Sequence, residues 1–206
     1  TLPVLAEAMK DSHDVVVRKS ALMAIALIAG RHFDQATGYS AAVAAGQPIP
    51  PLSERGLPRT DPTISDPAVL EQLRRAAQDP DAVVRHLAGY TLGNVGGPDA
   101  VEQLRVMLSD GNRMAQANAA NGLARNGSVD GVPTLIQLLT TSLKPFQFDP
   151  DSMLPKIEGG LDPSQKYEPT SEEIRQAEAK FHIEESQIAR NSLTAVADLW
   201  SQIDAD

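Results

Sequence analysis

The sequence predicts an all-α fold in which about four helix pairs stack in a row as a right-handed α–α solenoid, with two long proline-rich insertions. Three observations predict this architecture. Apolar and small residues recur at a fixed offset of 31 positions, the recurring positions follow helical spacing, and aromatic residues make up only 4% of the 206 residues. A core with so few rings is built from Leu, Val, Ile and Ala, which suits thin layers of closely approaching helices.

The recurrence defines a unit that consists of a short helix, a turn, a longer helix and a glycine-containing turn. We place these copies within one domain that covers residues 1–206. The predicted copies lie at residues 2–30, 67–97, 98–128 and, split in two, 129–140 with 187–203. The positions that recur 31 apart include Leu73, Leu104 and Leu135; Asp79 and Asp110; Ala88 and Ala119; Leu92 and Leu123; and Gly96 and Gly127.

Aspartate, proline and glycine positions predict where these helices begin and end. Asp66 and Asp79 each precede a proline, so we expect their carboxylates to accept backbone N–H bonds as N-caps. Gly96 and Gly127 are expected to adopt a positive φ and to end the second helices of their repeats. Helical spacing then predicts the buried positions of the second helices: Val17, Ala21, Ile25 and Ile28; Val84, Ala88, Leu92 and Val95; Ala115, Ala119 and Leu123.

Two segments, residues 31–66 and 141–170, do not fit the period and hold most of the 15 prolines. The first lies between repeats and the second lies inside a repeat, so a stacked topology places them at opposite edges of the row. Irregular segments longer than about 15 residues are uncommon in compact domains. Two interpretations stay open: the insertions contribute to recognition, or they are tolerated decoration.

A single long helix is predicted from residue 171 to residue 203. This stretch holds no Gly or Pro, and Thr170 with Glu173 forms the pattern of a capping box. Only the second half of the helix matches a repeat. The first half overhangs the predicted body, and Ile174, Phe181 and Ile188 form an apolar seam that packs on the second insertion or on a second chain.

Two stretches, residues 79–88 (DPDAVVRHLA) and residues 11–22 (DSHDVVVRKSAL), resemble HEAT repeats, specifically the short bacterial HEAT-like repeats of the phycobilin lyase type. The resemblance implies an armadillo-like helical repeat fold and a role among scaffolds, adaptors, chaperones and a few enzymes. That family usually has Arg where this chain has Gln116. The resemblance therefore implies a gap at this position in the polar contacts between repeats.

A ladder of ion pairs is expected between neighbouring repeats. Arg18, Arg85 and Arg190 occupy the same repeat position, and a partly buried guanidinium suits pairing with an Asp of a neighbouring repeat. Anion binding by these arginines is the alternative. The predicted ladder consists of Asp11, Arg18, Asp79, Arg85, Asp110 and Arg190.

The sequence contains no recognisable catalytic, cofactor or metal constellation. It has no Cys, no His pair at one-turn spacing, no Gly-rich phosphate loop and no Gly-x-Ser-x-Gly motif. The net charge of −9 is concentrated in the last quarter, which argues against a grip on nucleic-acid phosphates. The longest apolar run, residues 21–29, is far shorter than the roughly 20 residues of a membrane helix. We therefore predict a protein that is not an enzyme, needs no cofactor and has no membrane partner.

The exposed stripe of the second helices, called the concave strip below, is the predicted binding surface, because these helices line the concave face of α-solenoids. Its polar side chains suit a protein or peptide, so we predict a non-enzymatic interaction or scaffold module; an ordinary solvated face is the alternative interpretation. The family resemblance implies two other functions, a chromophore lyase or chaperone and, less favoured, a DNA-binding or repair protein. The concave strip consists of Lys19, Met23, His86, Tyr90, Asn94, Asn118, Asn121 and Arg125.

The first helix carries apolar residues on more than one side, at Leu2, Val4, Leu5 and Met9. Because a terminal repeat needs a polar outer face, we expect upstream repeats or a homodimer contact there. The lack of Cys leaves the compartment open, with the cytoplasm favoured.

Overall fold

A computed structural model describes residues 2–11, 13–37, 61–142, 145–147 and 169–203, together with Ala45 and Leu57. Within these residues the chain is helical and contains no strand. The helices are α1 (Leu2–Asp11), α2 (Val15–Thr37), α3 (Pro67–Ala76), α4 (Ala82–Val95), α5 (Gly97–Met107), α6 (Arg113–Arg125), a short 3-10 turn (Val129–Gly131), α7 (Val132–Ser142) and α8 (Ser171–Ile203). In the described part of the chain, no helix is long and apolar enough to cross a membrane.

The helices pack as successive pairs rather than around one centre. Each of α1, α3, α5 and α7 contacts the longer helix that follows it, and the longer helices α2, α4, α6 and α8 contact one another in that order. This arrangement fits an all-α solenoid. We call α2, α4, α6 and α8 the second-helix row.

Small residues bring the helices of this row close together. A Cβ atom added to Gly93 of α4 would lie 2.7 Å from the Cα atom of Gly122 in α6, which is closer than two carbon atoms can approach. The two helices therefore meet backbone to backbone at this point. Aromatic residues are not needed to fill such a narrow layer, which agrees with the aromatic-poor composition.

The buried face of the second helices follows the predicted spacing except at Val17 and Ile28. Ala21, Ile25, all four predicted positions of α4 and all three of α6 are buried. Val17, however, is 40% exposed, and Ile28 is only partly buried where it packs against the core. A second cluster, formed by Phe33, Leu57, Ala120, Ala124, Leu135, Ala195 and Leu199, joins α2, α6, α7 and α8.

The caps confirm the predicted helix ends in most places. Asp66 accepts N–H bonds from Ala68 and Val69, and Gly96 and Gly127 have φ values of 66° and 77°. The Asp79 carboxylate accepts a backbone N–H bond as expected, from Asp81 at 2.9 Å, but the expectation that Asp79 is the N-cap of α4 is wrong. Asp81 is the N-cap, and its carboxylate accepts from the N–H groups of Val83 and Val84 at 2.8 and 3.1 Å.

The second helix of the first repeat is longer than the period predicts, because α2 continues to Thr37, into the first predicted insertion. Phe33 in this extension is buried. The chain that leads into α3 also packs on the stack, since the Thr63 N–H donates to the Val95 carbonyl at 2.7 Å. Residues 38–44, 46–56 and 58–60 of this insertion lie outside the described residues.

The predicted long helix is present as α8, which spans 33 residues. Thr170 and Glu173 form the capping box, with the Thr170 N–H 2.8 Å from Glu173 Oε2 and the Glu173 N–H 3.2 Å from Thr170 Oγ1. Phe181 of the predicted seam lies 5.4 Å, centroid to centroid, from Phe146 of the second insertion. The first half of α8 therefore packs at least partly on its own chain; residues 143–144 and 148–168 lie outside the described residues.

Candidate functional site

The predicted ion-pair ladder is present at two successive junctions. Arg18 of α2 donates two hydrogen bonds to the Asp79 carboxylate, from Nε at 2.8 Å and from Nη2 at 3.1 Å. Arg85 of α4 donates the same two bonds to Asp110 at the same two distances. Burial alone raises the pKa of Asp110, but the bonds from Arg85 and from the Asn112 N–H outweigh it and hold this pKa below its ordinary value. Both pairs are bidentate and partly buried, which is the geometry that favours Arg.

The ladder stops at α6, where the resemblance implied a gap. Gln116 Nε2 donates to the Asp110 carbonyl of its own repeat at 2.6 Å and carries no charge for a further link. Arg113, at the start of α6, instead pairs with Glu185 of α8 at 3.0 Å. Arg190 does not extend the ladder within the described residues, where no carboxylate pairs with it. The side chain of Asp11 lies outside the described residues.

Asparagines form a second set of links inside the second-helix row. Asn94 Nδ2 donates to the Ala26 carbonyl at 3.2 Å, Asn126 Nδ2 donates to the Gly93 carbonyl at 2.9 Å, and Asn118 Nδ2 donates to the His86 carbonyl at 2.8 Å. Each bond joins one second helix to the backbone of the preceding one. Sequence reasoning missed Asn126, although an asparagine one or two residues before Gly96 and Gly127 was a visible signal.

The structure corrects the concave strip at Asn94, which is only 1% exposed because it is held between α2 and α4. Lys19 is partly used as well, since its Nζ lies 3.3 Å from the Asp81 carboxylate. Burial lowers the pKa of His86, with a further contribution from Lys19. Met23 and Tyr90 are each 42% exposed.

Five of the strip residues line one cavity of about 280 Å³ between α4, α6 and α8. They are Tyr90, Asn94, Asn118, Asn121 and Arg125. Phe33 comes from the extension of α2, which the repeat pattern does not reach. The second half of α8, which the sequence assigned to the fourth repeat, supplies Arg190, Asn191, Thr194 and Ala195, and the remaining lining residues are Gly93, Gly122 and Ala124. Sequence reasoning missed Phe33 because it assigned this residue to an insertion.

One wall of the cavity is an ordered cationic group. The Arg125 guanidinium lies 4.5 Å from the centroid of the Phe33 ring, and its Nη2 lies 3.2 Å from Asp34 Oδ1. The stacked and paired guanidinium is therefore held in place from two sides.

Asn121, on the same helix as Arg125, is the unusual polar residue of the cavity. Neither Nδ2 nor Oδ1 of its carboxamide has a hydrogen-bond partner, and both atoms are buried. An unpaired buried polar group costs roughly 1–3 kcal/mol, so its presence in the wall calls for an explanation other than stability.

The described residues contain no group of three or more His, Cys, Asp or Glu that could hold a metal ion. The described residues that line the cavity offer hydrogen-bond donors and acceptors, two guanidinium groups and two aromatic rings. Such a set suits recognition of a polar or anionic group.

Residues 56–113 match the family model for HEAT repeats. The match covers α3, α4, α5 and both turns between them, and it supports a HEAT-repeat chain without pointing to the phycobilin lyase type. HEAT repeats generally mediate protein–protein interaction or scaffolding, and they are typically not catalytic. No curated protein matches the chain.

Proposed function

We propose that this chain is a non-enzymatic interaction module, a right-handed stack of about four helix pairs that binds a protein or peptide along the second-helix row. The observation that carries the proposal is the cavity between α4, α6 and α8, where five residues of the concave strip converge. Proteins that bind peptides through helical repeats use this side of the stack, because its side chains come from consecutive repeats.

The composition of the cavity favours a protein or peptide over other ligands. Tyr90 and Arg125 are residue types that dominate protein interfaces, and the Asn121 carboxamide has both a donor and an acceptor that no described residue of the chain bonds. A cavity of about 280 Å³ holds one or two side chains rather than a tetrapyrrole-sized ligand. No observation favours the lyase or the DNA-binding alternative in the same way.

A random peptide library displayed on phage and selected against the immobilised chain tests this proposal. We expect selected peptides to lose at least tenfold in affinity for the Tyr90→Ala variant. The matched control is Val106→Ala, since Val106 on α5 is 61% exposed and lies outside the cavity lining. Peptides that bind both variants equally, or a selection that enriches no peptide, would contradict the proposed function.

A further inference from the structure

The charges of the cavity do not balance. Among the described residues that line it, two are arginines and none is acidic. Arg125 is compensated by Asp34, but Arg190 is exposed and pairs with no described carboxylate. The whole chain carries a net charge of −9, so an uncompensated cation in this cavity is opposite in sign to the net charge of the molecule.

The second unsatisfied group is the Asn121 carboxamide, whose donor and acceptor atoms are both buried and unpaired. One residue of an extended peptide presents its own N–H and C=O on the same side, and these are the two partners that the carboxamide lacks. Asn121 stands three positions after Asn118 and four before Arg125 on the α6 helix, so the three side chains follow one face of it.

Size limits what the cavity accepts. Its volume of about 280 Å³ lies just below the range of drug-sized ligand sites, roughly 300–1,000 Å³. A single extended peptide that inserts one side chain fits this volume.

We infer that the cavity recognises an acidic side chain, Asp or Glu, of an extended peptide, with Arg190 pairing the carboxylate and Asn121 pairing the backbone N–H and C=O of an adjacent residue. Arg125, fixed by Phe33 and Asp34, forms the second cationic wall. This inference rests on the proposed function, because it assigns the chemistry of the partner that the second-helix row binds.

Two pools of capped nine-residue peptides test the inference, each random except for a central Glu in one pool and a central Gln in the other. We expect the Glu pool to bind the full chain about tenfold more tightly at low salt, with the preference shrinking as ionic strength rises. Arg190→Gln is expected to remove the preference. Arg175→Gln is the matched control, since Arg175 lies on the same helix, is exposed and pairs with Glu172 outside the cavity.

Asn121→Ala separates the two contacts. Because Asn121 is assigned to the peptide backbone, this change is expected to weaken both pools by the same factor, about fivefold to tenfold, and to keep the preference for Glu. A change in the preference itself would contradict the assignment of Asn121.

The outcomes also separate this inference from the proposed function. Pools that bind equally well, or a preference that survives Arg190→Gln or is lost equally in Arg175→Gln, overturn the acidic-peptide assignment while concave binding stands. Absence of binding by both pools, or binding that Tyr90→Ala does not reduce, overturns the proposed function and the inference with it.

Discussion

The junctions of the second-helix row are built in two different ways. Between α2 and α4, and between α4 and α6, an arginine pairs with the aspartate of the next turn and an asparagine donates to the preceding backbone. Between α6 and α8, Gln116 stands at the ladder position, Arg113 pairs with Glu185, and the cavity opens.

The difference shows where this chain departs from a uniform stack. At the regular junctions arginine and asparagine donors bond to the neighbouring repeat, although Asn94 Oδ1 and Asn126 Oδ1 are buried without a described partner, and between α4 and α6 Gly93 and Gly122 leave no space between the backbones. At the α6–α8 junction Asn121 and Arg190 have no described partner. We therefore assign most of the stabilising contacts of the row to the α2–α4 and α4–α6 junctions. Partner binding is assigned to the α6–α8 junction.

The largest effect is expected at the closest backbone approach. Gly93→Val places side-chain atoms where the Gly122 backbone lies, so we expect the free energy of unfolding to fall by about 3 kcal/mol. Urea denaturation followed by circular dichroism measures it. Gly111→Ala is the control, because nothing lies within 4 Å of a Cβ atom at that site. An equal loss in both variants would contradict the tight α4–α6 contact.

The ladder gives the next effect. Asp110→Asn removes the negative charge that pairs with Arg85, so we expect the free energy of unfolding to fall by about 2 kcal/mol at pH 7. The exposed Arg74–Glu71 pair is the comparison, and Arg74→Ala is expected to cost no more than about 0.5 kcal/mol. Chemical denaturation at low and high salt measures both. Similar losses in the two variants would mean that the ladder is an ordinary surface ion pair.

The pH dependence of the same site follows from the lowered pKa of Asp110. A depressed folded pKa stabilises the fold above the ordinary value of 3.8, and this contribution is lost as the pH falls through the lower, folded value. The stability advantage of the natural chain over Asp110→Asn is therefore expected to be complete at pH 7 and to narrow below about pH 4. An advantage that is constant down to pH 2 would contradict this origin.

The smallest effect contrasts two asparagines. Asn126→Ala removes two bonds donated by Nδ2, to the Gly93 and Gly122 carbonyls, and is expected to cost about 1 kcal/mol. Asn121→Ala removes an unpaired carboxamide and is expected to leave the unfolding free energy unchanged or to raise it slightly. Parallel thermal denaturation measures both variants. A larger loss for Asn121→Ala would mean that this residue has a structural role.

Sequence reasoning reached the fold and part of the site because both depend on the repeat. The 31-residue period locates the second helices, the Arg–Asp partners and the capping glycines, since these positions recur in successive copies. It misplaced the cap at Asp79, because Asp79 and Asp81 are both plausible and only the partner Arg18 decides between them.

The repeat period does not locate residues that have no counterpart in other repeats, such as Phe33 in the extension of α2. Arg190 was placed at the ladder position, but the structure shows it lining the cavity without a described carboxylate partner. Asn94 has the spacing of an exposed residue, but the close approach of α2 and α4 buries it. Such contacts depend on the distance between neighbouring helices, and the spacing of residues within one helix gives no information about that distance.

Two arginine variants measured side by side test most directly the division between a stabilising and a binding junction. For Arg85→Gln we expect a loss of about 2 kcal/mol in unfolding free energy and unchanged peptide selectivity of the folded protein. For Arg190→Gln we expect unchanged stability and loss of the preference for Glu-containing peptides. If Arg190→Gln destabilises the fold as much as Arg85→Gln, or if Arg85→Gln alone changes the selectivity, the division is wrong.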